Sequence, residues 1–367
     1  MPSPEPDLSA ADLRARFDAV APLTVGIEEE VLLLDPETHD LAPVAAAVLD
    51  RLGDPERFKP ELPAAQLEIV TAPHERLEDT LAELAAGRRD LTAAAAGLAR
   101  PATTGLHPFA DPLGELAQLD DYAHTRTEYA NVARLQLVSA LQVHVAVGGA
   151  DRTLAVYNAL RSYLPELLAL SANAPFIAGR DSGMATARPK INELLPRQGV
   201  PPAIESWEEF AESLRWGAAA GNVHSARTWW WELRPHAAHG TLELRVPDAQ
   251  TTIADAAAVA GLAVALVARL AERHDAGEPL PVAPTWRIEE NRWSAARHGT
   301  DEAGTLADLE TGERRPTRAH LLALVEDLGA GRLVQGYAEQ RAVAAERGLQ
   351  GLAVWLAEQF GAGLSDP

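Results

Sequence analysis

The chain contains no cysteine among its 367 residues. Disulfides, cysteine-based zinc sites and cysteine nucleophiles are therefore excluded. Lysine occurs only at Lys59 and Lys190, so arginine supplies nearly all of the positive charge. The chain has no G-x-x-x-x-G-K-[ST] phosphate-binding loop, and no G-x-G-x-x-G motif follows a strand-like segment. A bound nucleotide would have to be held in another way, with metal ions and arginines on its phosphates.

Positive charge is also scarce relative to negative charge, since the formal net charge is −21 at pH 7. This balance argues against nucleic acid or an anionic membrane as a partner. The first seven residues lack the basic and apolar regions of a signal peptide, and we find no apolar run long enough to span a bilayer. These features predict a cytoplasmic protein. The hydrophobic content of 47% is sufficient for a large core.

Three consecutive glutamates, Glu28, Glu29 and Glu30, lie inside an otherwise apolar segment that reads as a strand. Side chains alternate between the two faces of a strand, so Glu28 and Glu30 share one face and Glu29 takes the other. Two neighbouring carboxylates in a buried sheet repel each other and lose hydration. A hard divalent cation would compensate them. The alternative is a sheet edge at which the three carboxylates are simply solvated.

Other strand-like segments also carry polar residues between apolar neighbours, namely Glu68, His144, Glu243 and Arg245, and Glu61 comes just before one of these segments. Taken singly, they have ordinary explanations, such as a hydrogen-bonded core histidine, a cross-strand ion pair or a solvated face. Taken together, they would form a pocket with oxygen ligands, one imidazole and an arginine if their faces converge. Such a ligand set suits Mg²⁺ or Mn²⁺, whereas zinc normally has more histidine or cysteine ligands.

Strand-like and helical segments do not alternate strictly along the chain. Strands are predicted for residues 23–35, 64–72, 103–107, 134–147 and 240–246, and helices for residues 75–99, 151–171, 206–219, 253–273 and 316–360. This order favours an α+β fold with a mixed or antiparallel sheet. The proline-rich segment 279–284 is predicted to be a linker or a long loop, and segment 300–316 a flexible surface loop.

Six motifs in order resemble carboxylate–amine ligases related to glutamate–cysteine ligase, specifically the YbdK-like group. They are Thr24-Val-Gly-Ile-Glu-Glu-Glu30, Phe58-Lys-Pro-Glu-Leu62 with Gln66-Leu-Glu-Ile69, Gln142-Val-His-Val145, Ser171-Ala-Asn-Ala-Pro-Phe176 with Gly179-Arg-Asp-Ser-Gly183, Thr241-Leu-Glu-Leu-Arg-Val-Pro-Asp248, and Glu290-Asn-Arg-Trp-Ser-Ala-Ala-Arg297. The resemblance covers most of residues 24–300. It departs from the family's frequent His-Val-His-Val-Gly at Gln142 and Ala146.

The resemblance implies a glutamine-synthetase-like catalytic fold, in which a curved antiparallel sheet forms a funnel-shaped active site and helices pack on the outside. Residues 1–22 would be a tail and lead-in, and residues 23–360 a single catalytic domain. The implied reaction is ATP-dependent amide-bond formation, through an acyl phosphate, between a carboxylate such as that of glutamate and an amine. Both substrates are small molecules, and a homo-oligomer is an open possibility.

The same resemblance implies roles for individual residues. The metal ligands for Mg²⁺ or Mn²⁺ would be Glu28, Glu30, Glu61, Glu68, His144 and Glu243. Arg245 would neutralise the phosphoryl group in transfer, next to Glu28. Four residues are candidates for binding ATP or a substrate carboxylate: Arg180, Arg188, Asn291 and Arg297. Structural ion pairs are the alternative role for the two arginines Arg180 and Arg188.

Two other hypotheses remain open at this point. A metal-dependent hydrolase would use the same carboxylate and histidine cluster without any nucleotide. A non-catalytic protein that binds a nucleotide or an amino acid could share the scaffold, and Gln142 and Ala146 motivate that alternative. A separate prediction concerns Trp229 and Trp231, which would share one face of a strand and could cover the mouth of the site. Core packing is the alternative role for at least one of them.

Overall fold

The structure is a computed structural model, and it describes residues 8–221, 223 and 228–362. A seven-stranded sheet organises the described part of the chain, with strand order β2-β3-β1-β5-β9-β8 and with β4 paired to β1. Every pairing in it is antiparallel. Its strands are β1 (Val25–Leu34), β2 (Phe58–Pro60), β3 (Gln66–Val70), β4 (Arg100–Ala102), β5 (Leu141–Val145), β8 (Leu233–His236) and β9 (Thr241–Leu244).

Two short ribbons complete the strands, β6 (Phe176–Ile177) with β7 (Arg180–Asp181) and β10 (Thr305–Ala307) with β11 (Arg314–Pro316). The described α-helices are α1 (Ala10–Asp18), α2 (Ala45–Leu52), α3 (Leu77–Ala95), α4 (Ala123–Arg134), α5 (Ala150–Leu160), α6 (Leu164–Ser171), α7 (Arg188–Asn192), α8 (Trp207–Ala219), α9 (Ile253–Asp275), α10 (Thr285–His298), α11 (Thr317–Leu328) and α12 (Gly336–Gly361). The α+β prediction with an antiparallel sheet is confirmed.

The alternation of side chains along β1 explains how the sheet separates a core from a polar face. Ile27, Val31 and Leu33 point into the main hydrophobic core, together with apolar residues of β3, β5, β8 and β9. On the other face, Leu32 and Leu34 are covered by α12. Between that apolar end and the start of the strand, the same face carries Glu28 and Glu30. One strand therefore supplies a packed core on one side and a polar patch on the other.

The side chain of Glu29 lies on the core face of β1, opposite to the face that carries Glu28 and Glu30. Arg88 of α3 pairs with it in a bidentate arrangement, with Nη2–Oε1 at 2.6 Å and Nε–Oε2 at 2.7 Å, and both side chains are fully buried. Arg88 also donates to the backbone oxygens of Gln250 and Thr251, and its guanidinium carbon lies 4.7 Å from the ring centroid of Phe360 in α12. The middle glutamate is thus an anchor between sheet and helices.

The helix α9 runs through the core. Thr252 caps it by accepting from Asp255 N, as a helix N-terminus requires. It is the one helix in the described ranges that could cross a membrane by length and composition, with a mean hydropathy of 1.9, so the prediction that no run is long enough was wrong. Its apolar face is buried against the core of the protein, which accounts for its composition.

Several predicted boundaries differ from the structure. The strand predicted for residues 134–147 is only Leu141–Val145, and Arg134 is the last residue of α4. Residues 300–316 contain the β10–β11 ribbon instead of an irregular loop. The prediction of a strand at residues 103–107 was wrong, and the strand in this region, Arg100–Ala102, comes directly before that segment. Segment 279–284 joins α9 to α10, and both of these helices pack in one core, so it is a mostly exposed loop between two helices of that core.

Candidate active site

The register of the sheet brings the polar residues of four strands onto one face. Glu30 is the Cα partner of Glu68, Glu28 is the partner of Gln142, and His144 is the partner of Glu243. Directly opposed residues in an antiparallel pair project to the same face. The structure therefore collects these side chains from β1, β3, β5 and β9, and Glu61 joins them from the residue after β2.

The collected side chains form two groups. In the first, which we name the imidazole group, one ligand atom from each of Glu28, His144 and Glu243 lies within 4.8 Å of the others. In the second, the carboxylate group, the same holds for Glu30, Glu61 and Glu68. All six residues predicted as metal ligands thus fall into these two groups, which share the alternate positions 28 and 30 of β1.

The imidazole group is organised around His144. Its Nδ1 lies 3.0 Å from Thr241 Oγ1, and its Nε2 lies 3.4 Å from Glu28 Oε1, which is long for a hydrogen bond. Nε2 is buried and makes no hydrogen bond that satisfies ordinary geometry among the described residues. Burial acts to raise the pKa of Glu28, but the contact and charge of His144 outweigh it and lower that pKa to about 2.

The carboxylate group contains three acids with little positive charge directly on them. Desolvation raises the pKa of Glu61 to about 8, with a further contribution from the charge of Glu30. Desolvation and the charges of Glu28 and Glu61 raise the pKa of Glu68 well above its usual range. Desolvation likewise raises the pKa of Glu30, although Oε2 of that residue accepts a 2.8 Å hydrogen bond from Ala140 N. Three carboxylates so placed repel one another.

Both groups fit a divalent cation. The buried Nε2 of His144 faces a carboxylate without a good hydrogen bond, as an unliganded metal-binding nitrogen would. Desolvation, with a further contribution from mutual repulsion, raises the pKa values of Glu61 and Glu68, and a cation would compensate their charge. Oxygen donors with one imidazole are the ligand set expected for Mg²⁺ or Mn²⁺.

Two arginines hold Glu243 in place. Arg234 of β8 donates to it through Nε at 2.5 Å and Nη2 at 3.1 Å, and Arg245 Nη1 also donates to it. Glu243 is fully buried, and burial acts to raise its pKa, but Arg234, Arg245 and the nearby His144 hold the pKa well below its usual range. Glu243 therefore stays ionised within the sheet.

Arg245 lines a cavity of about 160 Å³ together with Glu30, Glu61, Arg188 and Trp230. Glu61 also lines a second cavity of about 740 Å³, whose walls come from α2 and residues 115–119. Charged side chains line both cavities, and the larger one also has apolar walls such as Leu49 and Leu116. The two cavities meet at Glu61 of the carboxylate group.

Only one of the four residues predicted to bind ATP or substrate lines the small cavity. Arg188 does so, and it is fixed there by Asp248, with Nε–Oδ1 at 2.6 Å. Arg180 is exposed on β7. Asn291 hydrogen-bonds the backbone of Ala307 in both directions. Arg297 is exposed and donates to Gly183 O. For these three, the geometry indicates surface or structural positions.

Sequence reasoning missed Arg234, His236 and His239. The His236 and His239 rings stack at 4.4 Å between centroids, and each lies edge-on to His144. Their segment was not predicted as a strand because Pro235 is unfavourable inside a central strand. β8 is an edge strand, and proline is tolerated there. The alternation of Leu233 and Pro235 with polar residues was the sequence signal that could have indicated this strand.

The tryptophan prediction was wrong in its details. Residues 229–231 are not in a strand, and Trp230 rather than its neighbours lines the small cavity. Trp230 lies under Arg197, at 5.5 Å from the guanidinium carbon to the ring centroid, and Trp229 packs against Phe210. An aromatic wall does exist, but a different residue of the triplet provides it.

A model of the family described as glutamate–cysteine ligase family 2 matches residues 24–352. The chain belongs to this family. It is 37% identical to a candidate glutamate–cysteine ligase 2-3 of Rubrobacter xylanophilus, over 94% of this chain and 99% of that protein. It is 34% identical to a candidate glutamate–cysteine ligase 2 of Corynebacterium glutamicum strain R, over 91% and 94% of the two chains.

Solved structures agree on the fold. A glutamate–cysteine ligase from Francisella tularensis, in complex with AMP, matches with a TM-score of 0.66 at 11% identity, over 95% of this chain and 91% of that one. A bifunctional glutathione synthetase from Pasteurella multocida matches with a TM-score of 0.60 at 16% identity, over 96% of this chain. The chain spans about half of that longer protein, 54%. The glutamine-synthetase-like fold is confirmed.

Membership of family 2 also confirms that the protein is an ATP-dependent carboxylate–amine ligase acting on small molecules. The hydrolase and the non-catalytic binding protein are thereby set aside.

Proposed function

We propose that the protein transfers the γ-phosphoryl group of ATP to a substrate carboxylate and then joins the acyl group to an amine. The observation that carries this proposal is the convergence of the imidazole and carboxylate groups on one sheet face beside Arg245. Six acidic or imidazole side chains with a partly buried arginine form a site for polyphosphate and divalent cations, and family membership supplies the ligase chemistry.

Each group would hold a divalent cation, Mg²⁺ or Mn²⁺. Glu28, His144 and Glu243 are the ligands proposed at the imidazole group, and Glu30, Glu61 and Glu68 those at the carboxylate group. When bound, such ions neutralise charge on phosphate oxygens. Glu28 contributes a carboxylate that is ionised above pH 2, so it is available as a ligand at neutral pH.

Arg245 is the residue proposed to stabilise the phosphoryl group in transfer. It lines the small cavity, and its burial acts to lower its pKa, but Glu243 and the other nearby carboxylates raise that pKa above its usual value, so the charge persists. Contacts with Glu243 and Gln142 orient the guanidinium before substrate arrives. Preorganised positive charge of this kind lowers the barrier where negative charge is distributed over three oxygens.

The proposed reaction requires no nucleophile from the enzyme, because the two substrates supply both attacking atoms. A carboxylate oxygen of the substrate attacks the γ-phosphorus, the bond to the ADP oxygen breaks, and an acyl phosphate and ADP result. The amine nitrogen then attacks the acyl carbon, the bond to the phosphate oxygen breaks, and the nitrogen loses a proton as the amide forms. The lack of cysteine is consistent with this route.

Glutamate and cysteine are the substrates to test first, because the relatives carry the name glutamate–cysteine ligase. Arg188 lines the cavity next to Glu30, and we propose it as the group closest to a substrate carboxylate or a phosphate. ATP contacts by Arg180, Asn291 and Arg297 remain predictions, since these residues lie outside the lining of the cavity.

A coupled assay of ADP release, run over pools of amino acids and amines, tests the proposal. We expect ADP release that requires a carboxylate, and trapping of the acyl phosphate as a hydroxamate when hydroxylamine replaces the amine. Glu28→Gln and Glu243→Gln are expected to abolish ADP release, whereas Glu310→Gln, at an exposed position, serves as the control. Normal turnover by Glu28→Gln, or ADP release that no carboxylate stimulates, would contradict the proposal.

A further inference from the structure

Gln142 occupies the middle of the polar face, and both ends of its amide are engaged. Nε2 donates to Glu30 Oε1 at 2.9 Å, and Oε1 accepts from Arg245 Nη1 at 2.5 Å. The side chain is 3% exposed. Glu30 belongs to the carboxylate group, and Arg245 also contacts Glu243 of the imidazole group. The amide therefore joins the two groups by one continuous hydrogen-bonded path.

The chemistry of the partners fixes the orientation of this amide. A guanidinium has donors only, so Arg245 requires the oxygen of Gln142, and the amide nitrogen is then left to donate to Glu30 Oε1. Reversing the amide would set its NH₂ group against the guanidinium donors in a buried place. Only one orientation of the Gln142 amide is therefore favourable, and in that orientation its oxygen holds Arg245 Nη1 in place.

We propose that Gln142 is a positioning residue that holds Arg245 in place for phosphoryl transfer and couples it to the carboxylate group. This inference rests on the proposed function and adds to it a determinant of the transfer step. Glu243 holds the Arg245 guanidinium only through Nη1, because the other oxygen of Glu243, Oε2, accepts from Arg234. The contact with Gln142 restrains it from the side of Glu30.

Three substitutions separate this role from simple packing. Gln142→Met keeps the length of the side chain but has no amide, so Arg245 and Glu30 lose their link. Gln142→Glu accepts from Arg245 but places a carboxylate against Glu30. Gln142→His offers one acceptor nitrogen and one donor nitrogen, so it can satisfy both partners at once. Only a role in positioning predicts that the imidazole rescues what the thioether loses.

The test measures kcat and KM for ATP in the ADP-release assay, with Mg-ATP affinity by calorimetry and the thermal midpoint as independent readouts. We expect Gln142→Met and Gln142→Glu to lower kcat by about a hundredfold, as for a catalytic group that is misplaced, while Gln142→Met changes Mg-ATP affinity by less than about threefold. Gln142→His is expected to recover most of kcat. Gln340→Met, at a buried glutamine that donates to Asn173, controls for the loss of a buried amide.

The outcomes are distinguishable. If wild type releases no ADP under any carboxylate and amine, the proposed function fails, and the positioning role falls with it. If wild type turns over and Gln142→Met does too, with kcat unchanged, the proposed function stands and the positioning role is wrong. The positioning role would also be wrong if Gln142→Met, Gln142→His and Gln340→Met all lost kcat in proportion to the fall in their thermal midpoints. That pattern would reflect lost stability alone.

Discussion

Three adjacent glutamates of β1 have two different tasks, which the pleat of the strand separates. Glu29 points into the core and pairs with Arg88, while Glu28 and Glu30 point toward the candidate active site. When a buried ion pair loses one partner, the other charge is left buried and uncompensated, and the fold is destabilised. When a proposed metal ligand loses its charge, metal binding and activity are lost. The same chemical change is therefore expected to have opposite consequences at adjacent positions.

Glu29→Gln is expected to lower the free energy of unfolding by about 3 to 5 kcal/mol, because the fully buried Arg88 would lose its carboxylate. Glu28→Gln is expected to destabilise the metal-free protein less than Glu29→Gln does, because Glu28 is partly exposed and makes only a 3.4 Å contact with His144, and it is expected to abolish ADP release. Urea unfolding and the ADP-release assay measure the two effects. Equal destabilisation by both substitutions would contradict this division of tasks.

Thr241 is expected to set which nitrogen of His144 is available to a metal ion. Its Oγ1 lies 3.0 Å from Nδ1, so the ring is held with Nε2 toward Glu28. Thr241→Val should weaken Mn²⁺ binding by about tenfold to a hundredfold, and Thr241→Ser should restore it. Titration calorimetry with Mn²⁺ checks this, with Thr103→Val as a buried threonine outside the two groups. Unchanged Mn²⁺ affinity in Thr241→Val would refute it.

His107 is expected to make the fold sensitive to acid. Burial lowers its pKa from 6.5 to about 4, and its Nδ1 accepts from Ala110 N while Nε2 contacts His39 O. The folded state favours the neutral ring, so its contribution is complete above pH 6.5 and is lost as the pH falls toward 4. The loss between pH 7 and pH 5 is about 2 kcal/mol.

The measurement for this pH dependence is urea unfolding at pH 7 and at pH 5. His107→Asn keeps an acceptor for Ala110 N but does not titrate, so it is expected to lose about 2 kcal/mol less than wild type over that interval. His124→Asn, at an exposed position, is the control. A difference between wild type and His107→Asn that is the same at both pH values would show that His107 does not titrate in this range.

At the residue scale, the alternation of side chains along a strand was enough to predict which face each glutamate takes. It was not enough to predict which residues contact the nucleotide. The faces of Glu28, Glu29 and Glu30 follow from the period of a strand, and the structure agrees with them. Arg180, Asn291 and Arg297 lie in a ribbon and a helix whose position depends on tertiary packing. No local pattern distinguishes an arginine that lines a cavity from one that lies on the surface.

At the scale of elements, helix α12 closes the structure over β1 and β4. Its first part ends at a kink at Gly348, where φ is +69°, a conformation that glycine tolerates. Beyond the kink, Leu352 and Leu356 cover Leu32 and Leu34, and Phe360 lies over Arg88. The last helix therefore protects both the apolar end of β1 and the anchor of its middle glutamate.

Phe360→Ala is expected to lower the free energy of unfolding by about 3 to 5 kcal/mol, because it removes a buried ring and the contact with the Arg88 guanidinium. ADP release per folded molecule should stay at the level of wild type, since Phe360 belongs to the main hydrophobic core and not to the polar face of the sheet. Leu322→Ala, at an exposed position of α11, is the matched control. Equal stability of Phe360→Ala and Leu322→Ala would argue against the role of α12.

The elements with long, clear periods could be predicted from the sequence, and the short ones could not. Helices α3, α8 and α9 match their predicted segments to within a few residues. Strand β8 was missed because of Pro235, and β5 was predicted too long because apolar residues continue beyond the paired segment. Which strands become neighbours depends on contacts between distant parts of the chain, and local periodicity does not contain that information.

At the scale of the whole molecule, a strongly acidic chain places its acids in different kinds of surroundings. Most lie at exposed or partly exposed positions, some are buried against arginines, as Glu29 and Asp248 are, and five lie with His144 in the imidazole and carboxylate groups on one sheet face. The cost of this arrangement in the metal-free protein is the desolvation and mutual repulsion of the carboxylates, which raise the pKa of Glu61 and Glu68. The central expectation is therefore that two divalent cations bind where the strands bring these residues together.

Anomalous diffraction from crystals grown with Mn²⁺ and a non-hydrolysable ATP analogue tests this expectation most directly. We predict one manganese peak among Glu28, His144 and Glu243, a second among Glu30, Glu61 and Glu68, and phosphate density between them and Arg245. Manganese bound only elsewhere, with neither group occupied while the analogue is present, would contradict the account.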